Sequence, residues 1–123
     1  CECRNMHISL VRGSKVDGAG RELSSAASHA SSAVGYCNLT TSGAESARSA
    51  ATWALSDVRD AIDLLRDGGH STSAAESAAS ALRSGLGHIS DYLSRPKDTN
   101  ECGDAQNAFS NALSDIRRAI SGL

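Results

Sequence analysis

No apolar run in this chain approaches the roughly 20 residues that a bilayer-crossing helix needs, so no membrane span is expected. Basic charge is not in surplus either. A formal net charge of -2 and a pI near 6.1 leave no electrostatic footprint for nucleic acid. Lysine is confined to Lys15 and Lys97, and the preference for arginine fits the codon bias of a GC-rich genome. The signatures of catalysis are missing as well. There is no Gly-x-Ser-x-Gly elbow and no Glu-x-x-His pair of the kind that builds a di-iron bundle. Neither an enzyme nor a cofactor is therefore expected. An initiator methionine is also lacking, and the opening residue is Cys1. The expectation is a mature product whose targeting segment has been removed, by way of a secretory signal peptide or as a bacterial lipoprotein with a lipid anchor on Cys1.

What the chain does have is a repeat. With Ala44 as heptad position a, Ala51, Val58 and Leu65 are also a, and Ala47, Ala54 and Ala61 are d. Leu55 and Ile62 fall at e, giving the stripe that a helix buries in a bundle. Restarted at Ala75, the frame places Leu82 and Ile89 at a, with Ala78, Gly85 and Tyr92 at d. Restarted at Cys102, it places Phe109, Ile116 and Leu123 at a, with Ala105, Ala112 and Ala119 at d. Backwards from Ala44 it runs through Cys37, Ala30 and Leu23 at a, and through Ala33 and Ala26 at d. Whole words recur: AESARSA (44–50) returns as AESAASA (75–81), and ALSDVRDAI (54–62) as ALSDIRRAI (112–120). Small residues at d let helix backbones approach closely.

These four segments predict one all-α domain, an up-down-up-down four-helix bundle with an extended N-terminal arm and disulfide staples. The arm is residues 1–14 and the bundle 15–123, with helices over about 16–36, 43–67, 73–95 and 100–122. Capping boxes are read at Ser42 with Glu45 and at Ser73 with Glu76. Thr99 or Asn100 is the expected cap of the last helix. Helix 2 closes at Asp67-Gly68-Gly69, and Pro96 stops helix 3. Asn38-Leu39-Thr40 is an N-glycosylation sequon in an exposed loop, meaningful in a eukaryotic source.

A core of alanines gains much from covalent staples, and an export route permits them. The four cysteines are Cys1, Cys3, Cys37 and Cys102. Helix 1 ends and helix 4 begins at the same end of such a bundle, which brings Cys37 and Cys102 together. An extended arm could return Cys1 and Cys3 to that end. The expectation is that Cys1 and Cys3 each pair with one of Cys37 and Cys102, with direct Cys37–Cys102 pairing as the alternative. A four-thiolate zinc site is disfavoured by the spacing, so no metal ligand is assigned.

Of the four histidines, His29 and His88 fall at similar heights beside the core positions Ala30 and Ile89. They are read as boundary residues, the rival reading being a metal or ligand held between them. Asp57, Asp60, Asp63 and Asp67 line one side of helix 2 among Arg59 and Arg66, and are read as a solvated face. Trp53 falls at position c, towards solvent, where it serves as an interface anchor or else folds onto its own helix or under residues 4–14. Tyr36 and Leu39 extend that contact surface.

In architecture and in Ala/Ser richness the chain resembles the plant inhibitors of pectin methylesterase and invertase, which are secreted, disulfide-bonded four-helix bundles. Their N-terminal helical hairpin with its own cysteine pair is not found here, nor is a cysteine within helix 2, so no residue is carried over. The expected function is that of a secreted, extracellular, non-enzymatic protein that binds a protein or other extracellular macromolecule. The alternative is a structural subunit that assembles with itself through Ala/Ser-rich helices.

Overall fold

The computed structural model describes residues 2–36, 40–95 and 99–123, with side chains described from residue 13 onwards and not at Thr99. Within these residues the chain is all-helical, with no strand. Helix α1 spans Glu2–Tyr36, α2 Thr41–Asp67, α3 Ser73–Ser94 and α4 Thr99–Ser121. Successive helices pack side by side and α4 returns to α1, which closes a four-helix bundle with α1 and α3 on its diagonal. Among the described residues no helix is long and apolar enough to cross a membrane.

The heptad stripe is the core. Ala44, Ala47, Ala51, Ala54, Val58 and Ala61 are wholly buried, as are Leu23, Ala26, Ala30 and Ala33 of α1 and Phe109, Ala112 and Ile116 of α4. No polar or charged residue is buried among those described. Leu123 departs from the frame and is exposed, because α4 ends at Ser121 before the next a position is reached. Layers of unequal size fit together. Leu65 of α2 shares a wall with Ala75 of α3 and Ala119 of α4, and Phe109 of α4 fills the gap over Gly85 of α3. A Cβ at Gly85 would clash with the edge of the Phe109 ring, so a larger residue there would force the ring to shift.

Helix ends follow local chemistry. Thr40 caps α2, its hydroxyl accepting the Gly43 N–H at 2.9 Å. The cap therefore lies two residues before the expected Ser42, which becomes part of the first turn. Thr72 precedes α3 without a side-chain cap bond, and Ser73, the expected cap, is the first helical residue. Gly69 takes a left-handed φ of 72°, which L side chains adopt reluctantly. That reversal turns the chain out of α2 while the Gly68 N–H donates to Leu64 and the His70 N–H to Leu65.

The expected extended arm is corrected. Apart from Cys1, which lies outside the described residues, the segment forms the first turns of α1. It contains no proline, and Glu2, Arg4, Met6, Leu10 and Arg12 all favour helix. Gly18 and Gly20 do not interrupt the helix because both sit at close approaches, Gly18 against Leu64 and Gly20 against Leu123. From those contacts α2 runs out level with about Lys15, and α4 ends nearer Gly20. Residues 2–14 project past the bundle by about 20 Å at 1.5 Å per residue.

Candidate interaction surface

Trp53 and Tyr36 are two of the three large hydrophobics exposed among the described residues, at 59% and 48% of their surface. They meet at one place. Tyr36 is the last residue of α1, and the antiparallel hairpin sets it over the N-terminal half of α2. Ser46, Ser49 and Ala50 floor a shallow depression of about 260 Å³ between the two rings. The small floor leaves the rings standing proud, so an incoming side chain can lie between them. Both aromatics are among the contact residues expected from the sequence. Leu39, named with them, lies outside the described residues, as does the sequon residue Asn38.

Trp53 is neither covered by residues 4–14, which leave the bundle at its other end, nor folded flat on α2. Its indole meets the His29 ring of α1 edge to face, with centroids 5.4 Å apart and planes inclined at 65°. His29 Nε2 in turn stands 3.9 Å from Asp57 Oδ2, too far for a hydrogen bond. That oxygen is buried without a hydrogen-bond partner. Glu22, on α1, completes an acidic group with Asp57 and Asp60. Partial desolvation, and then the charges of Asp57 and Asp60, raise the Glu22 carboxyl above its ordinary range. The surface thus has an aromatic face at one edge and carboxylates behind it.

The other sequence-named residues disperse. His29 and His88 do not share a site. His29 faces the α1–α2 seam, whereas His88 Nδ1 donates to Glu101 Oε2 at 2.7 Å across the α3–α4 seam. His70 ties the α2–α3 turn to the end of α4, its Nε2 donating to the Gly122 carbonyl at 3.1 Å. His7 has no described side chain. Asp63 pairs with Arg66 at 3.5 Å on the exposed face of α2. Glu101 and Asp104 were not singled out from the sequence. Their i, i+3 spacing was visible there, but the histidine they face depends on the α3–α4 register.

Cys102 is buried at 1% and disulfide-bonded. Cys1, Cys37 and the side chain of Cys3 lie outside the described residues. Near Cys102, the Gln106 Nε2 donates to the Val34 carbonyl at 3.1 Å and fixes the start of α4 against the end of α1.

Comparison with protein-family models, with curated proteins and with solved structures finds no match to this chain.

Proposed function

We propose that this chain is a secreted, non-enzymatic recognition module that binds a partner protein through the Trp53–Tyr36 surface. The observation that carries the reading is the convergence of two exposed aromatics from different helices on one depression. Tryptophan and tyrosine are the side chains on which binding energy concentrates. A bundle whose core is otherwise closed has no folding reason to leave both in water. The carboxylate of Asp57, one turn on from Trp53, and those of Glu22 and Asp60 grouped with it favour a partner with an apolar anchor flanked by basic groups.

The covalent staple belongs to the same reading. Because α1 is one helix, Cys3 stands 31 residues from Val34, about 46 Å along the axis. Gln106 holds the start of α4 beside Val34. Of the cysteines in this chain, Cys37 is the one whose place in sequence suits Cys102, and we assign that pair. Peptide mapping without reduction tests it, and a Cys3–Cys102 peptide overturns it.

A photo-crosslinking residue at position 53, with a second at Ser80 on α3 as control, tests the surface. Incubated with material from the source organism, position 53 should give one adduct at a basic, apolar segment of a single protein, and Ser80 none. Equal labelling from both positions sinks the reading. So does an adduct that survives at full strength when Tyr36 is replaced by alanine.

The second reading, self-assembly, is favoured by the α1 projection, which carries Cys3 away from the bundle. Sedimentation and non-reducing electrophoresis separate the two. Thiol-dependent oligomers unaffected by Trp53→Ala belong to assembly, and a monomer at all concentrations removes it.

A further inference from the structure

We infer that His88, Glu101 and Asp104 form a binding site for a divalent first-row cation, of which Zn2+ is the best suited. His88 comes from α3, while Glu101 and Asp104 stand one turn apart at the start of α4. One ligand atom from each of the three lies within 4.8 Å of the others. His88 and Glu101 are half-buried, and Asp104 is exposed. The donor set is an imidazole nitrogen with two carboxylates, a combination that serves Zn2+ and its neighbours. It differs from a patch of surface acids because a neutral nitrogen from a second helix completes it.

The geometry is close to what such an ion requires. Zinc bonds of about 2.0–2.2 Å set tetrahedral ligand atoms about 3.4 Å apart. The His88–Glu101 contact of 2.7 Å opens by a fraction of an ångström when an ion replaces the shared proton. The exposed Asp104 side chain swings in to close the third side. No movement of either helix is needed. The site has three protein ligands and leaves a fourth position to water, which makes it an exchangeable site rather than a closed structural one. Its position gives the ion a mechanical role. It would clamp α3 to α4 next to the disulfide at Cys102.

Isothermal titration of Zn2+ into the full oxidised chain, with any free thiols alkylated, tests the proposal. One equivalent should bind saturably. Asp104→Asn, at an exposed residue that the fold does not need, should weaken binding by at least the roughly 10–100-fold that loss of an outer-sphere partner costs. His88→Ala and Glu101→Gln should do the same with helicity unchanged by circular dichroism, whereas His29→Ala should leave the affinity as it was. Co2+ should give the visible ligand-field bands of four-coordinate nitrogen and oxygen ligation. Absence of saturable binding overturns the proposal, as does an affinity indifferent to Asp104→Asn or an equal loss in His29→Ala.

Discussion

Helices α2 and α4 contain nearly the same nine-residue word, ALSDVRDAI and ALSDIRRAI, and they put it to different use. Its inward letters behave alike. Ala54 and Ala112 are wholly buried, as are Val58 and Ile116, while Ala61 and Ala119 are buried at 0% and 7%. The differences lie outside that face. Asp60 in the first copy is Arg118 in the second. Asp115 therefore has an i+3 arginine and pairs with it at 3.1 Å. Asp57 has an aspartate there instead, turns towards His29 of α1 and keeps an unpartnered oxygen. One heptad earlier, Ala51 of α2 corresponds to Phe109 of α4, and it is Phe109 that requires Gly85 opposite. Trp53 corresponds to Asn111, so the aromatic surface exists on one copy only. One core pattern thus supports two seams, and single changes, inward at Ala51 and Phe109 and outward at Asp60 and Arg118, decide what each seam offers.

The sharpest way to break the likeness is at Phe109. Phe109→Ala should cost about 3–5 kcal/mol in urea unfolding, as truncations of a buried phenylalanine do. The alanine at the matching position of α2 shows that the heptad alone tolerates a small residue there. A cost below about 1 kcal/mol would mean that Phe109 does not fill the α3–α4 seam. Next comes its counterpart, Gly85→Ala. Overpacking of about 1–3 kcal/mol is partly offset by about 1 kcal/mol of helix propensity, so a net loss of up to about 2 kcal/mol is expected. In a Phe109→Leu background the same change should become neutral or stabilising. A loss that persists there would place the clash elsewhere.

Exchanging the outward letter is a smaller perturbation. Asp60→Arg gives Asp57 the partner that Asp115 already has, and should stabilise by a few tenths of a kcal/mol, as exposed helix pairs do. Arg118→Asp should remove a like amount. If Asp60→Arg destabilises, Asp57 does not depend on its own helix for a partner. The smallest effect belongs to Glu22. Its carboxyl is raised in the folded chain, so it favours folding below the ordinary carboxylate range, and that contribution is lost as pH rises through the raised value. At neutral pH the charged form opposes folding. Glu22→Gln should therefore raise the melting temperature slightly at pH 7 and leave it unchanged in acid. A gain that is equal at both pH values would assign the effect to something other than charge.

Much of the fold was legible in the residues, because burial in a bundle is written at heptad spacing. Leu23, Val58, Leu82, Phe109 and Ile116 all fall on the predicted stripe and are all wholly buried. The first turns of α1 were misread. Residues 1–14 were expected as an extended arm, but with no proline and several helix formers there the helix simply continues to Glu2. The cap of α2 was placed two residues late because Ser42 and Thr40 offer the same hydroxyl, and backbone geometry chose between them. The two aromatics of the interaction surface were visible singly, Trp53 from its outward position and Tyr36 from its place at the end of helix 1, but not the serine and alanine floor that joins them.

Local spacing by itself determined the helices and which side chains face inward, since both depend on neighbours three or four residues away, and the short connections determined their antiparallel order. Only the tertiary structure decided that His88 meets Glu101 and Asp104, that Asp57 is left with an open oxygen, and that Phe109 rests on Gly85. Those pairings depend on the longitudinal register between helices. A slide of one turn, about 5.4 Å, leaves every heptad intact and changes every partner across a seam.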